Sequence, residues 1–195
     1  MKRPAARGGD PMAGVERVLV DGSNLAYALA RGATERGAAE RGAATAGPRP
    51  NVAVIAAVRA AFPPGVRVEV VFDGAGEVGI GRPGRFARAA SNLYVEHAGR
   101  ESADRVIEGA VAAQLAADGP AGTWGVLVVT DDRELRGLVQ AKGARVAGTA
   151  WLAGRLAHVG GGHGAARRGD PGGGRARPVG IGNARPPRLP RGPRR

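Results

Sequence analysis

The chain has 195 residues, no Cys and a formal net charge of +12. The length suits one domain with a sizeable core, and the absence of Cys excludes disulfides, thiolate metal sites and Cys nucleophiles and fits a reducing interior. No apolar run approaches the roughly 20 residues of a membrane span, and no signal-type apolar segment follows the basic N-terminus, so a cytoplasmic protein with no membrane partner is expected.

In chain order, residues 1–14 carry Pro, Gly and charge without periodicity and read as a disordered lead. Residues 16–21 form a first strand, Val18-Leu19-Val20 running straight into Asp21. A continuous apolar run of this kind is the pattern of a strand buried on both faces of a parallel sheet. A short helix is expected from Leu25 to about Arg31, then a long connection over 32–50. Asn51 is placed to cap a helix through Val52, Ile55, Val58 and Phe62, which Pro63-Pro64-Gly65 ends. Arg67 to Phe72 is the second strand, 74–88 an irregular loop, and Asn92 to Glu96 a short third strand.

The stripe of Ala103, Val106, Ile107, Ala110, Val111 and Leu115 predicts a helix from Ala103 to Ala117. Asp118-Gly119-Pro120 reads as a turn, and Trp124 to Thr130 as the fourth and most apolar strand, with Trp124 and Trp151 in the core. Asp131 or Asp132 caps a helix through Leu135, Leu138 and Val139 that Gly143 closes. Ala144 to Ala147 is a fifth strand and Thr149 to His158 a last helix. Alternating strands and helices imply a three-layer α/β/α sandwich with a mainly parallel, five-stranded sheet over 15–159.

Charge is unevenly placed. Residues 160–195 hold nine Arg and one Asp, while 13–159 hold 17 basic and 15 acidic residues. The 160–195 segment is rich in Gly, Arg and Pro and is read as a disordered basic tail. Such a tail suits a polyanion; it is also what a solvated, compositionally biased segment looks like.

Four segments share one layout, an acid at the end of a strand or the start of a helix: Asp21, Asp73, Asp104 and the pair Asp131-Asp132. In an open α/β sheet, ligands bind beyond the carboxyl ends of the strands. Carboxylates gathered there without Cys suit a hard cation, Mg²⁺ or Mn²⁺, which relieves their mutual repulsion. Bound among them, such a cation polarises a phosphoryl oxygen and activates water. Asn24 could bond a substrate phosphate or fix Asp21, and Thr130 could hold an acid or a water. Arg82 and Arg85, with Arg88, flank this edge and could contact phosphate. Each acid also has a structural explanation. Asp21-Gly22 and Asp73-Gly74 are turn dipeptides, Asp104 suits the positive end of a helix, and Asp131 with Glu134 has the spacing of a capping box. Gly79 to Gly84 spells G-x-G-x-x-G but contains Pro83 and opens no helix, so no nucleotide cofactor is expected. His97, His158 and His163 share no metal-ligand spacing.

Val20-Asp21-Gly22-Ser23-Asn24, Val71-Phe72-Asp73, Ser102-Ala103-Asp104 and Val129-Thr130-Asp131-Asp132-Arg133-Glu134-Leu135, with Gly143-Ala144, resemble the motifs of the bacterial NYN domain family of the PIN-like nuclease superfamily. Trp151-Leu152 and Arg155-Leu156 are similar to that family's last helix, so the likeness covers roughly 16–158. The resemblance implies a strand order of 3-2-1-4-5 and a metal-dependent endoribonuclease acting on RNA. Carried over position by position, it implies Asp21, Asp104 and Asp132 as metal-binding acids, Asn24 and Thr130 as polar supports, and Asp73 as a fourth acid. Arg105 stands where the family often has a second acid, which makes it a candidate substrate contact, and Asp131 stands where Ser is common and could replace the lost carboxylate. The competing expectation is an RNA-binding or regulatory module of the same fold that turns over poorly, which Arg105 and the cationic tail favour. A homo-oligomer is compatible with either.

Overall fold

The computed structural model describes residues 10–37, 50–76 and 86–161. Six strands, β1 (Arg17–Asp21), β2 (Arg67–Phe72), β3 (Ala87–Arg88), β4 (Leu93–His97), β5 (Val126–Val129) and β6 (Arg145–Ala147), form one sheet in the order β3-β4-β2-β1-β5-β6. All pairs are parallel except β3 with β4. The five parallel strands therefore stand in the expected order, with β1 at the centre. The sixth strand is a two-residue antiparallel edge, Ala87 opposite Val95 and Arg88 opposite Tyr94. A piece this short has no periodicity to read, and it exists only because β4 offers it an open edge.

Five helices cover the two faces: α1 (Gly22–Gly37), α2 (Asn51–Arg59), α3 (Ala103–Trp124), α4 (Arg133–Ala141) and α5 (Thr149–Gly161). Alternation along the strands divides the core in two. Val18, Val20, Val68, Val70 and Phe72 pack with Leu25, Leu29, Val54, Val58 and Leu152, the side of α1, α2 and α5. Leu19, Val71, Val126 and Val128 pack with Ile107, Val111, Leu135 and Val139, the side of α3 and α4. Val18, Leu19, Val20 and Val126 to Val129 are all buried, which is why those runs are apolar without interruption.

Several local expectations are corrected. The helix after β1 begins at Gly22, not Leu25, because the Asp21 carboxylate accepts the Asn24 N–H (3.0 Å) and so caps it from the strand end. Asn51 is the first residue of α2 rather than its cap; Pro50 precedes it, and no side chain caps the helix. Trp124 closes α3 and is 40% exposed, so it is neither in β5 nor in the core. Helical backbone extends that far because the break at Gly119 (φ 66°, ψ −168°) is local and helix resumes beyond Pro120. Residues 10–14, expected within a disordered lead, form a turn. Asp10 Oδ1 accepts the Met12 N–H (3.0 Å), and Met12 packs against the core.

One polar network escaped the sequence reading. Glu69 lies inside β2, fully buried, and accepts from Arg17 Nε and Nη2 (3.0 and 2.6 Å) and from Arg67 Nε. Arg17 Nη1 donates to Gln114 on α3 (2.9 Å), and the Arg67 guanidinium lies 4.1 Å from the centre of the Tyr94 ring. Glu69 is paired because a lone carboxylate there would be strongly unfavourable. The network sits near the amino ends of the strands, away from the acids considered next.

Candidate active site at the carboxyl edge of the sheet

Register fixes what meets at this edge. Asp21 stands opposite Val71, and Val71 opposite Glu96, so these three share one row across β1, β2 and β4. Val20 pairs with Val129, which brings Thr130 to the level of Asp21 on the other side. Parallel strands end together, and α1, α3 and α4 all begin at this edge, each opening beside an acid.

Asp21 is the anchor. It is only 2% exposed. Its Oδ1 accepts the Asn24 backbone N–H, and its Oδ2 accepts from Asn24 Nδ2 and Thr130 Oγ1 (3.1 Å). Thr130 Oγ1 in turn accepts the Asp132 N–H (3.1 Å). Asn24 and Thr130, expected as polar supports, thus hold Asp21 directly. Burial pushes the Asp21 carboxyl up, the bonds from Asn24 and Thr130 oppose this, and the charge of Asp73 adds to the rise.

Asp104 lies in the first turn of α3, half-buried, and makes no hydrogen bond or ion pair among the described residues. Its carboxyl is pushed up to about 6, first by desolvation, then by the charges of Asp21, Asp132, Asp73 and Glu134. Asp132 caps α4, with Oδ1 accepting the Leu135 N–H (2.8 Å). Asp73 is exposed and ties two helices together. Its N–H donates to Ser23 Oγ at the start of α1 (3.0 Å), and its Oδ1 accepts the Ala103 N–H at the start of α3 (2.8 Å). Ser23 was not singled out as a site residue, since a hydroxyl in a helix's first turn carries no signal of what it will meet 50 residues away.

Asp131 points elsewhere. Its Oδ1 accepts the Thr149 N–H (2.9 Å) and its Oδ2 the Thr149 hydroxyl, so it fastens the start of α5. Asp132, not Asp131, is the cap of α4. Arg105 is exposed beside Asp104. Arg82 and Arg85 lie outside the described residues. His97 is buried and stacks on Phe72, ring centres 5.4 Å apart, and so belongs to the packing.

The donor set is hard oxygen, the chemistry of Mg²⁺ or Mn²⁺. As they stand, though, no three His, Asp or Glu side chains among the described residues are arranged to hold an ion. Asp21 is turned to Asn24 and Thr130, and Asp132 to its own helix. The chemistry of the acids fits a cation, but in this arrangement their side chains do not enclose one.

The fold is thus an α/β one, a mainly parallel sheet between two helical layers with acids at its carboxyl edge. Two solved structures are similar to this chain. One is Rae1 (YacP) from Bacillus subtilis, 20% identical over 75% of this chain and 76% of that chain, with a TM-score of 0.50. The other is a mutant of the same protein, also 20% identical, covering 75% of this chain and 77% of that one, with a TM-score of 0.46. No protein-family model matches the chain, and no curated protein sequence matches it. No helix among the described residues is long and apolar enough to cross a membrane.

Proposed function

We propose that this protein is a metal-dependent endoribonuclease that hydrolyses RNA phosphodiester bonds at the carboxyl edge of its sheet. Asp104 carries the reading. It lies unbonded and half-buried among four other acids, and desolvation first, then their charges, push its carboxyl up to about 6. Gathering like charges costs stability in the metal-free protein. Local costs of this kind concentrate where a site uses them.

Asp21, Asp104 and Asp132 would hold Mg²⁺ or Mn²⁺, with Asp73 as a further acid at the rim, while both Asp131 oxygens are engaged by Thr149. When bound, such a cation polarises a phosphoryl oxygen and lowers the pKa of water. The chain's own groups supply the rest. Asn24 and Thr130 orient Asp21, and Thr130 also fixes the backbone at Asp132. Arg105, exposed and next to Asp104 in sequence, would meet a substrate phosphate as a bidentate donor.

The test is cleavage of end-labelled RNA with Mg²⁺, Mn²⁺ or chelator, comparing the wild type with Asp104→Asn and Asp21→Asn. Metal-dependent cleavage that disappears in both variants, with the circular dichroism spectrum retained, is expected. Full cleavage in either variant overturns the site. The second reading, an RNA-binding module without turnover, is favoured by one observation: both Asp21 oxygens already accept internal hydrogen bonds. RNA retained on the protein but uncut with either metal would establish it.

A further inference from the structure

The outer face of α1 leads away from the carboxylates. Leu25, Ala26, Leu29 and Ala30 are buried, which leaves Asn24, Tyr27, Ala28 and Arg31 along the other side of the helix. Their spacing of three and four residues makes them one ridge. The ridge begins at the site, because Asn24 Nδ2 bonds Asp21. Tyr27 lies about 4.5 Å and Arg31 about 10 Å further along the helix axis. Tyr27 is 57% exposed, and neither its hydroxyl nor the Arg31 guanidinium has a partner among the described residues.

The other aromatic rings are placed differently. Tyr94 lies under Arg67, Arg155 lies over Phe62, Phe72 is buried, and Phe86 and Trp151 pack against the core. Trp124 is exposed but ends α3, at the opposite edge of the sheet. Tyr27 is therefore the exposed ring on the helix that starts at the acids, with a small residue beside it and a cation one turn beyond.

We infer that this ridge is a track for unpaired RNA, with a base stacked on Tyr27 and a backbone phosphate on Arg31. A ring that every base can stack on, followed by a guanidinium, is the pattern of sequence-tolerant single-strand binding. A stacked base must first be free of its partner, so the track selects single-stranded over paired RNA. The inference deepens the ribonuclease reading and rests on it for the identity of the ligand.

Binding is measured on the full chain carrying Asp104→Asn, which suspends cleavage, with a labelled oligoadenylate alone and the same strand paired to oligouridylate. Tyr27→Ala should weaken single-strand binding about 30-fold, the middle of the range for one stacked base. Tyr27→Phe should restore it to within about twofold, since the ring and not the hydroxyl is used. Arg31→Ala should reduce the salt slope by about 0.7, one phosphate on a single strand. Duplex affinity should change little with Tyr27→Ala. Unchanged single-strand affinity in Tyr27→Ala, or Tyr27→Phe as weak as the Ala variant, overturns the track. If the wild type fails to cleave RNA while Tyr27→Ala still weakens binding, the ribonuclease reading falls and the track stands.

Discussion

Asp104 shows how one side chain can report on a site. Its carboxyl titrates at about 6 in the folded protein against 3.8 in a free carboxylate. The folded state therefore holds the proton more tightly than the unfolded state. This contribution to stability is full below about pH 4 and is lost as pH rises through about 6. In metal-free buffer, acidification from about pH 7 towards 5 should stabilise the wild type relative to Asp104→Asn, and Asp104→Asn should melt higher than the wild type at about pH 7. A variant that melts lower than the wild type there would mean that burial and the neighbouring charges do not penalise the ionised Asp104. Asp73 gives a second residue-level prediction. Its Oδ1 holds the Ala103 N–H, a bond that Asn can keep and Ala cannot. If Asp73 acts by positioning α3, Asp73→Asn should cleave RNA at close to the wild-type rate, and Asp73→Ala should lose about 1 kcal/mol of stability together with activity. If it is a metal ligand, Asn should be as poor as Ala.

The start of each helix at this edge depends on a contact with another element. Gly22 opens α1 against β2: a Cβ there would lie 2.5 Å from Phe72 Cε1 and 2.8 Å from Val70 Cγ1. Gly22→Ala should cost about 1–3 kcal/mol in urea unfolding, the usual range for overpacking. It should also lower cleavage, because α1 carries Asn24. At the far side Asp131 fastens α5 through Thr149. Asp131→Ala should cost about 0.5–2 kcal/mol, as other lost caps do, and leave the metal dependence of cleavage unchanged. A shift in the metal concentration needed for half-maximal rate would show that Asp131 also reaches the ion. Gly143 is needed for a different reason, its φ of 93° following the last turn of α4.

For the molecule as a whole, binding of Mg²⁺ or Mn²⁺ to the native state alone should raise the melting temperature by mass action, and the rise should vanish when Asp21, Asp104 and Asp132 are all Asn. A melting curve indifferent to millimolar metal would favour the non-catalytic reading. Charge gives a second prediction. Residues 160–195 carry nine Arg and one Asp, while every candidate ligand lies before them. A chain ending at Gly160 should bind RNA more weakly with a shallower salt slope, each lost phosphate contact on a single strand removing about 0.7, and should cleave at a nearly unchanged rate under single-turnover conditions. An unchanged slope would mean that the tail does not touch RNA.

Much of this architecture was legible before any coordinates. Val18-Leu19-Val20 and Val126 to Val129 announce central strands because a strand buried on both faces has no room for polar residues. Alternation with helices then implies parallel pairing and brings the strand ends to one edge, so Asp21, Asp73, Asp104, Asp131 and Asp132 could be named together; the family resemblance singled out Asp21, Asp104 and Asp132 with Asn24 and Thr130. The sequence could not say which acid does what. Asp131 and Asp132 are adjacent and chemically identical, yet one fastens α5 and the other caps α4, because their side chains leave the backbone in different directions and meet different helices. Ser23 and Asp73 are 50 residues apart, and Arg17, Glu69 and Gln114 are spread over 97. Such pairings have no local signature, since they exist only once the sheet sets the register. Composition and periodicity determined the layers and the edge, and the family resemblance implied the strand order; tertiary packing alone decided the partners of each carboxylate, because a hydrogen bond is specified by distance and direction in space and not by position in the chain.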